Sequence, residues 1–181
     1  NIMVSQIKVN EIIKQSGSTI TIGETNDTIT LPSTATLTNF PANTPAFWFA
    51  LSTNQSISNN TVTKIQFNTT TLDTGSFWDS SNYRWTPTVS GYYFTNCQYK
   101  FLSSGSTSVL RVKLQKNGTD YCTSTMVSTG GSNSAITSGF VHLNGSSDYI
   151  EAYAQHQEGS TELIGGDPEL TFFQGYKIIG A

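Results

Sequence analysis

A two-residue alternation between core-forming and polar side chains runs through most of this chain and favours a β-fold over a helical one. It is clearest in residues 91–102. There, one face of an extended strand would carry Tyr93, Thr95, Cys97, Tyr99 and Phe101, and the other Asn96, Gln98 and Lys100. Successive side chains of a strand point to opposite faces, whereas a helix repeats every 3.6 residues. Residues 91–102 are therefore predicted to form a long strand with one buried face.

The same alternation recurs at near-regular spacing and predicts about nine strands. Besides 91–102, the predicted strands are 46–51, 62–67, 82–86, 109–114, 121–129, 135–143, 149–156 and 170–179. The dipeptide Asn117-Gly118 after one of them is the strongest short signal for a tight hairpin. Regularly spaced strands of this kind predict a sandwich or jelly roll rather than a βαβ fold.

The composition agrees with this fold class and excludes several functions. Thr, Ser and Asn make up 64 of the 181 residues, while 12% are charged and 12% are aromatic. Hydroxyl-bearing and aromatic residues favour strands, and the strong helix formers are scarce. The net charge of −3 comes without any basic block, so no nucleic-acid partner is expected. No run approaches the ~18 apolar residues of a membrane helix, so no membrane insertion is expected.

Residues 1–45 differ from the rest of the chain. They lack Trp and Tyr, and the segments 18–23 and 27–32 alternate Thr with Ile or Leu. One thin apolar stripe does not offset an ordering entropy of about 1–2 kcal/mol per residue by itself. The stripe is expected to be buried either on the larger domain or against other copies, as in a three-fold fibre stem. The chain is thus predicted to comprise an N-terminal stem and linker, 1–45, and a head, 46–181.

Five groups of segments in the head resemble, in the correct order, the motifs of C1q-like domains. They are 45–47 with 65–68, 77–79 and 83–87; Val-Ser-Gly-Tyr-Tyr-Phe at 89–94; Leu-Gln-Lys-Asn-Gly at 114–118; Leu-Asn-Gly and Asp-Tyr-Ile-Glu within 143–151; and Phe-Gln-Gly-Tyr-Lys-Ile at 173–178. The resemblance covers residues 45–179. It implies a ten-strand C1q/TNF-like jelly roll that forms a homotrimer and has no catalytic activity. Thr95 stands where this family usually has an aromatic residue.

The N-terminal segment is similar to the low-complexity leaders of bacteriophage fibre proteins. The similarity lies in Ile-Lys-Val-Asn at 7–10, Gly-Ser-Thr-Ile-Thr-Ile at 17–22 and Leu-Pro-Ser at 31–33. The Gly-x-y repeat of collagen, which animal C1q proteins carry, is missing from the sequence. The resemblance implies a phage fibre or capsid decoration at the virion surface. Its N-terminal segment would bind capsid or tail proteins, and its head would face outward.

Two other functions remain open from the sequence. One is a secreted C1q/TNF-like recognition ligand, which normally carries a signal peptide and often a collagen or coiled-coil trimeriser. The other is a carbohydrate-active virion enzyme, which requires a cleft with paired carboxylates. The twelve acidic residues are scattered, so no catalytic pair is expected.

The receptor-binding surface is expected in the outward loops of the head, at 74–82, 103–108, 129–134 and 157–168. Loops on a rigid scaffold vary without disturbing its core. Side chains suited to stacking on a host-surface glycan, or to hydrogen bonds with its hydroxyls, are Trp78, Asp79, Glu158, Glu162 and Asp167. Trp78 belongs to a stretch without strand alternation, which predicts a loop position.

Other aromatic residues are expected to pack in the core or at the trimer interface. Trp48 and Trp85 lie within alternating segments. The strands that most resemble the family motifs contribute Tyr93, Tyr99, Phe173 and Tyr176.

No cofactor or metal site is expected. His142 and His156 lie on different predicted strands without neighbouring ligands, and no phosphate-binding loop or nucleophile motif is present. The acidic segment 165–169 is either a cation site or a solvated turn. Cys97 and Cys122 either form a disulfide between strands or remain two buried thiols.

Overall fold

A computed structural model describes Thr28, residues 44–102 and residues 108–179. These residues contain thirteen strands: β1 Ala46–Ala50, β2 Gln55–Ile57, β3 Thr63–Lys64, β4 Thr69–Asp73, β5 Trp78–Asp79, β6 Arg84–Trp85, β7 Gly91–Leu102, β8 Ser108–Lys116, β9 Thr119–Ser128, β10 Asn133–Leu143, β11 Ile150–His156, β12 Glu162–Ile164 and β13 Phe172–Lys177. The predicted all-β jelly roll is confirmed. The count exceeds ten because several strands have only two or three residues. The stem prediction for 1–45 lies outside the described residues, apart from Thr28, Thr44 and Pro45.

The strands form two antiparallel sheets. The first has the order β2-β12-β7-β13-β1-β4, with β10 also paired to β7. The second has the order β5-β6-β11-β8-β9, with β3 also paired to β11. Within residues 44–102 and 108–179, no helix has the length and hydrophobicity needed to cross a membrane.

The core lies between the two sheets, and the alternation in β7 places its residues as predicted. The side chains of Tyr93, Thr95, Cys97, Tyr99 and Phe101 are all fully buried. The second sheet contributes the buried aliphatic side chains of Leu110, Val112 and Leu114. The predicted hairpin between β8 and β9 is also confirmed. Asn117 and Gly118 both have positive φ, at 51° and 79°, as the favoured two-residue hairpin turn requires.

A tyrosine from the second sheet takes the place beside Thr95 that a larger side chain would fill. The Tyr121 hydroxyl lies 2.8 Å from Thr95 Oγ1, which also donates to the Gly139 carbonyl at 3.0 Å. Gly139 allows this close packing, since a Cβ there would lie 3.2 Å from Cys122 Sγ. The small residues Thr95 and Gly139 thus let β9 pack tightly against the first sheet.

The two cysteines are free thiols, so the disulfide alternative does not occur. Cys97 is buried in the core, whereas Cys122 is half-buried. Cys122 Sγ lies 3.1 Å from both the Thr137 hydroxyl and the Ser138 carbonyl. Burial raises the pKa of the Cys97 thiol well above its usual value.

The predicted strand 62–67 is mostly wrong, because only Thr63–Lys64 pairs with a neighbouring strand. The alternation persists beyond it, since Ile65 and Phe67 are buried. The side chain of Gln55 provides the hydrogen bonds that a neighbouring strand would otherwise make. Its Nε2 donates to the Lys64 carbonyl at 2.8 Å, and its Oε1 accepts from the Gln66 amide at 2.9 Å.

Asp148 connects the turn before β11 to the β8–β9 hairpin. Its carboxylate accepts hydrogen bonds from Asn117 Nδ2 at 2.7 Å and from the Asn144 amide at 3.0 Å. Lys116 Nζ lies 2.8 Å from the same carboxylate. The Lys116 ammonium, followed by the Asn117 amide, lowers the pKa of Asp148.

We expect Asp148→Asn to lower the free energy of unfolding at pH 7 by about 1–2 kcal/mol, because charge-assisted hydrogen bonds are lost. A carboxyl whose pKa is lowered by folding stabilises the protein above its unfolded-state pKa of about 3.9. That contribution disappears as the pH falls through the lower folded-state pKa. Urea unfolding at pH 7 and at a pH below about 3.9 should therefore show a larger difference between variant and wild type at pH 7. An equal difference at both pH values would contradict this role of the charge.

Candidate functional site

The outer face of the first sheet, which points away from the core, carries a band of large apolar side chains. We call the side chains of Trp48, Leu72, Phe94, Phe140 and Tyr176 the aromatic face. Strand pairing makes its members neighbours, because Phe94 lies opposite both Phe140 and Tyr176, and Trp48 lies opposite Leu72. Single exposed apolar residues are common, but a contiguous band of this kind marks an interaction surface.

Ring contacts hold part of the aromatic face in place. The Phe94 ring centroid lies 5.6 Å from that of Phe140 and 5.7 Å from that of Tyr176. The outward positions beside the aromatic face include the neutral side chains of Asn96, Ser138 and Gln174, while Lys100, farther along β7, is paired with Asp167. Covering this face with another protein surface would therefore not bury an unpaired charge, which is the most costly kind of burial.

The aromatic face combines a groove with a projecting ring. The groove has a volume of about 240 Å³ and is lined chiefly by Trp48, Leu72, Phe94, Gln174 and Tyr176. The projecting ring is Phe140 on β10, whose side chain is 67% exposed. The groove lies over β1 and β13, whereas Phe140 is on the other side of β7. The groove and the projection therefore occupy different parts of the same face.

Gly175 lies in the wall of the groove at a position where no side chain fits. A Cβ at this position would lie 2.6 Å from the Phe94 carbonyl oxygen and 2.8 Å from the Phe47 ring. No side chain fits at that distance from a backbone atom, so the strand carries glycine here. The glycine lets the Phe47 ring pack directly beneath the groove.

Three of the four expected packing residues are in the core, and the fourth is on the aromatic face. Tyr93, Tyr99 and Phe173 are fully buried. Tyr176 is 42% exposed and lines the groove, as does Trp48 at 38%. Burial raises the pKa of Tyr93 to about 12.

The prediction that Trp78 lies in a loop is wrong. Trp78 begins strand β5, and its ring stacks on the buried Phe49 ring with a centroid separation of 4.1 Å. Its backbone amide donates to the Asp73 carboxylate at 2.9 Å. The two-residue strand is too short to show an alternation, which is why the sequence pattern resembles a loop.

Asp79, the neighbour of Trp78, stabilises the following turn. Its Oδ1 accepts hydrogen bonds from the amides of Ser81 and Asn82, both at 3.0 Å, and its Oδ2 accepts from Asn82 Nδ2 at 2.7 Å. Arg84 Nε lies 3.3 Å from Oδ2. These contacts, the Asn82 side chain first, lower the pKa of Asp79.

The other acidic candidates lie at separate places in the fold. Glu162 begins β12 and accepts a hydrogen bond from the Ser160 hydroxyl at 2.8 Å. Asp167 pairs with Lys100 at 3.5 Å, and its carbonyl accepts from the Leu170 amide, so segment 165–169 includes a turn. Glu158 is half-buried, and its backbone amide donates a hydrogen bond to His156 Nδ1 at 3.3 Å. Among the described residues, no three potential metal ligands come together.

A second groove, which we call the polar groove, was not predicted from the sequence. It has a volume of about 490 Å³, and its lining residues include Asn54, Gln55, Ser56, Gln66 and Tyr83. It lies at the sides of β2 in the first sheet and β3 in the second. The only sequence signal for it is Tyr83, which directly follows a turn. The direction in which this side chain points depends on the backbone conformation at that residue.

The aromatic face was also only partly anticipated. Phe94 and Phe140 occupy polar-side positions of otherwise regular alternations. An aromatic residue on the side of a strand that should be solvated is the signal that identifies such a surface.

Comparison with known proteins shows the fold. No protein-family model matches the chain, and no curated protein matches it. Among solved structures, murine APRIL has a TM-score of 0.52 at 17% identity, over 74% of this chain and 98% of the other. Eiger TNF from S. frugiperda has a TM-score of 0.54 at 15% identity, over 75% and 93%. The globular domain of zebrafish complement 1qA scores 0.46 at 18% identity, over 74% and 96%. The first two similarities, together with the strand order, show that this chain has a jelly roll of the TNF/C1q type.

Proposed function

We propose that the protein is a non-enzymatic homotrimer whose heads associate through the aromatic face and display a binding surface outward. The observation that carries this proposal is the uncharged band of aromatic side chains beside the groove over β1 and β13. In a single chain these side chains are exposed, and water contact with so much apolar surface is unfavourable. Burial against other copies of the chain removes this cost.

The projection and the groove make the aromatic face complementary to other copies of itself. Phe140 projects at one side of the face, and the groove beside Tyr176 lies at the other. If Phe140 of one copy enters the groove of another, the contact forms a two-fold dimer when it is mutual, and a ring when each groove receives Phe140 from a different neighbour and the rotation closes. The resemblance to C1q-like domains supports three copies in this ring.

Our more specific proposal is a virion protein, either a phage fibre or a capsid decoration. It is supported by the similarity of residues 7–33 to the leaders of phage fibre proteins. In this role, the N-terminal segment binds other capsid or tail proteins, and the head at the virion surface binds a host-surface glycan or another receptor. Trimeric display strengthens weak binding, because avidity raises the apparent affinity by about 10²–10⁴ over that of a single millimolar contact.

A secreted C1q/TNF-like ligand is a second candidate function. The fold shared with APRIL and Eiger TNF supports it. Antibodies against the head distinguish the two candidates. Labelling of intact phage particles in electron micrographs supports the virion protein, whereas antigen found only free in solution supports the secreted ligand.

Light scattering of the full chain at micromolar concentration tests the assembly. We expect three times the chain mass of 19.7 kDa. A monomer under these conditions would overturn the proposed trimer, and a dimer would overturn the ring geometry.

A further inference from the structure

The polar groove is built from neutral hydrogen-bonding side chains with one aromatic ring. Its polar lining includes Asn54, Ser56 and Gln66, and none of the residues that line it is charged. A groove of this composition is poorly suited to phosphate or carboxylate groups, which are normally bound by cationic side chains. It is equally unsuited to an apolar ligand, which would leave amide groups without partners.

Part of the groove is held rigid by hydrogen bonds within the protein. Asn68 Oδ1 accepts from the Ser52 amide at 2.8 Å, and Asn68 Nδ2 donates to Thr53 Oγ1 at 2.9 Å. Gln55 bonds to the backbone of Lys64 and Gln66, as described above. Asn54 Oδ1 accepts from the Gly166 amide at 2.8 Å. These fixed side chains lose little further conformational entropy when a ligand binds.

Other groups in the groove have hydrogen-bonding capacity to spare. Within the described part of the chain, the side chains of Ser56 and Gln66 and the Nδ2 group of Asn54 make no hydrogen bond to protein atoms. They offer a hydroxyl group and amide donors and acceptors together. This mixture matches the hydroxyl groups of a sugar, each of which both donates and accepts.

The aromatic ring comes from Tyr83, which has an unusual backbone conformation. Its φ is 51°, in the left-handed region that a bulky residue rarely adopts. The turn just before it is held by the hydrogen bonds of Asp79 to Ser81 and Asn82. The half-buried Tyr83 lines the groove. Residues in strained backbone conformations cluster at functional sites.

We propose that the polar groove binds a sugar ring of an uncharged glycan. The Tyr83 ring stacks on the apolar face of the sugar, while Asn54, Ser56 and Gln66 form hydrogen bonds with its hydroxyl groups. This inference rests on the proposed function, because it specifies the glycan class and assigns binding to a different surface from the acidic loops. Tyr83 is the binding platform, and Asp79 is a positioning residue.

Affinity electrophoresis of the full chain tests the inference, with starch, xylan and galactomannan as neutral polymers and alginate as the charged one. We expect at least one neutral polymer to retard the protein. Tyr83→Asn should weaken that binding about tenfold, because the stacking contact is lost. Tyr83→Phe keeps the ring and should keep the binding. Since asparagine tolerates positive φ, Tyr83→Asn should retain or raise the melting temperature, which separates lost binding from unfolding.

The outcomes distinguish this inference from the proposed function. It is overturned if no neutral polymer retards the wild-type protein, if Tyr83→Asn binds as tightly as wild type, or if only alginate binds. Light scattering on the same samples reports the trimer independently. A trimer without neutral-glycan binding removes the polar groove proposal alone, whereas a monomer removes the proposed assembly.

Discussion

Replacing Phe173 by alanine is expected to lower the free energy of unfolding by about 3–5 kcal/mol, as for other large buried aromatics. The Phe173 side chain is fully buried, with the Phe47 ring centroid at 4.8 Å and that of Phe67 at 6.0 Å. Its strand, β13, lies between β7 and β1, so neighbouring strands on both sides limit relaxation into the cavity. Urea unfolding monitored by tryptophan fluorescence measures the loss.

Phe172→Ala is the matched control, since Phe172 lies next along the same strand but is only half-buried on the opposite face. We expect it to cost less than half as much as Phe173→Ala. Both variants must be compared with wild type at one protein concentration, because association adds to apparent stability. A larger loss for Phe172 would mean that β13 is shifted by one residue, which exchanges its two faces.

Replacing Phe140 by aspartate is expected to convert the trimer into monomers at micromolar concentration. Phe140 is 67% exposed in the single chain, so the head should fold without it. At the proposed interface, however, the substitution removes an apolar contact and places an unpaired charge among the uncharged side chains of the aromatic face. Truncating an aromatic anchor that fills a pocket in the partner costs about 2 kcal/mol or more, and burying an unpaired charge adds to that loss. With three contacts in the ring, light scattering should show the change directly.

Val127→Asp is the matched control for charge at an exposed apolar position. Val127 is 61% exposed and lies on β9 in the second sheet, away from the aromatic face. This variant should remain trimeric and melt at nearly the wild-type temperature. If Phe140→Asp also stays trimeric, the aromatic face is not the interface. If both variants dissociate, the loss of the trimer results from added negative charge anywhere on the surface and does not identify the aromatic face as the interface.

Local patterns in the sequence predicted the fold well where strands are long. In β7 the two-residue period places every second residue from Tyr93 to Phe101 on one face. This holds whatever the neighbouring strands are, because the extended backbone itself sets that geometry. The Asn117-Gly118 turn is equally local, since its positive φ values depend on those two residues. Trp78 shows the limit of such patterns. It lies in strand β5 and not in the predicted loop, because a strand of two residues is too short to show an alternation.

Local alternation predicted which side chains of the long strands face inward, whereas strand pairing established which outward side chains are neighbours. Phe94, Phe140 and Tyr176 are far apart in the chain and become neighbours only through the pairing of β7 with β10 and β13. The polar groove likewise depends on both sheets, with Gln55 bridging to the backbone beside β3. Strand direction and burial pattern are properties of a short segment, whereas pairing between distant strands is selected by packing over the whole core. The candidate surfaces therefore depend on contacts that no local pattern encodes.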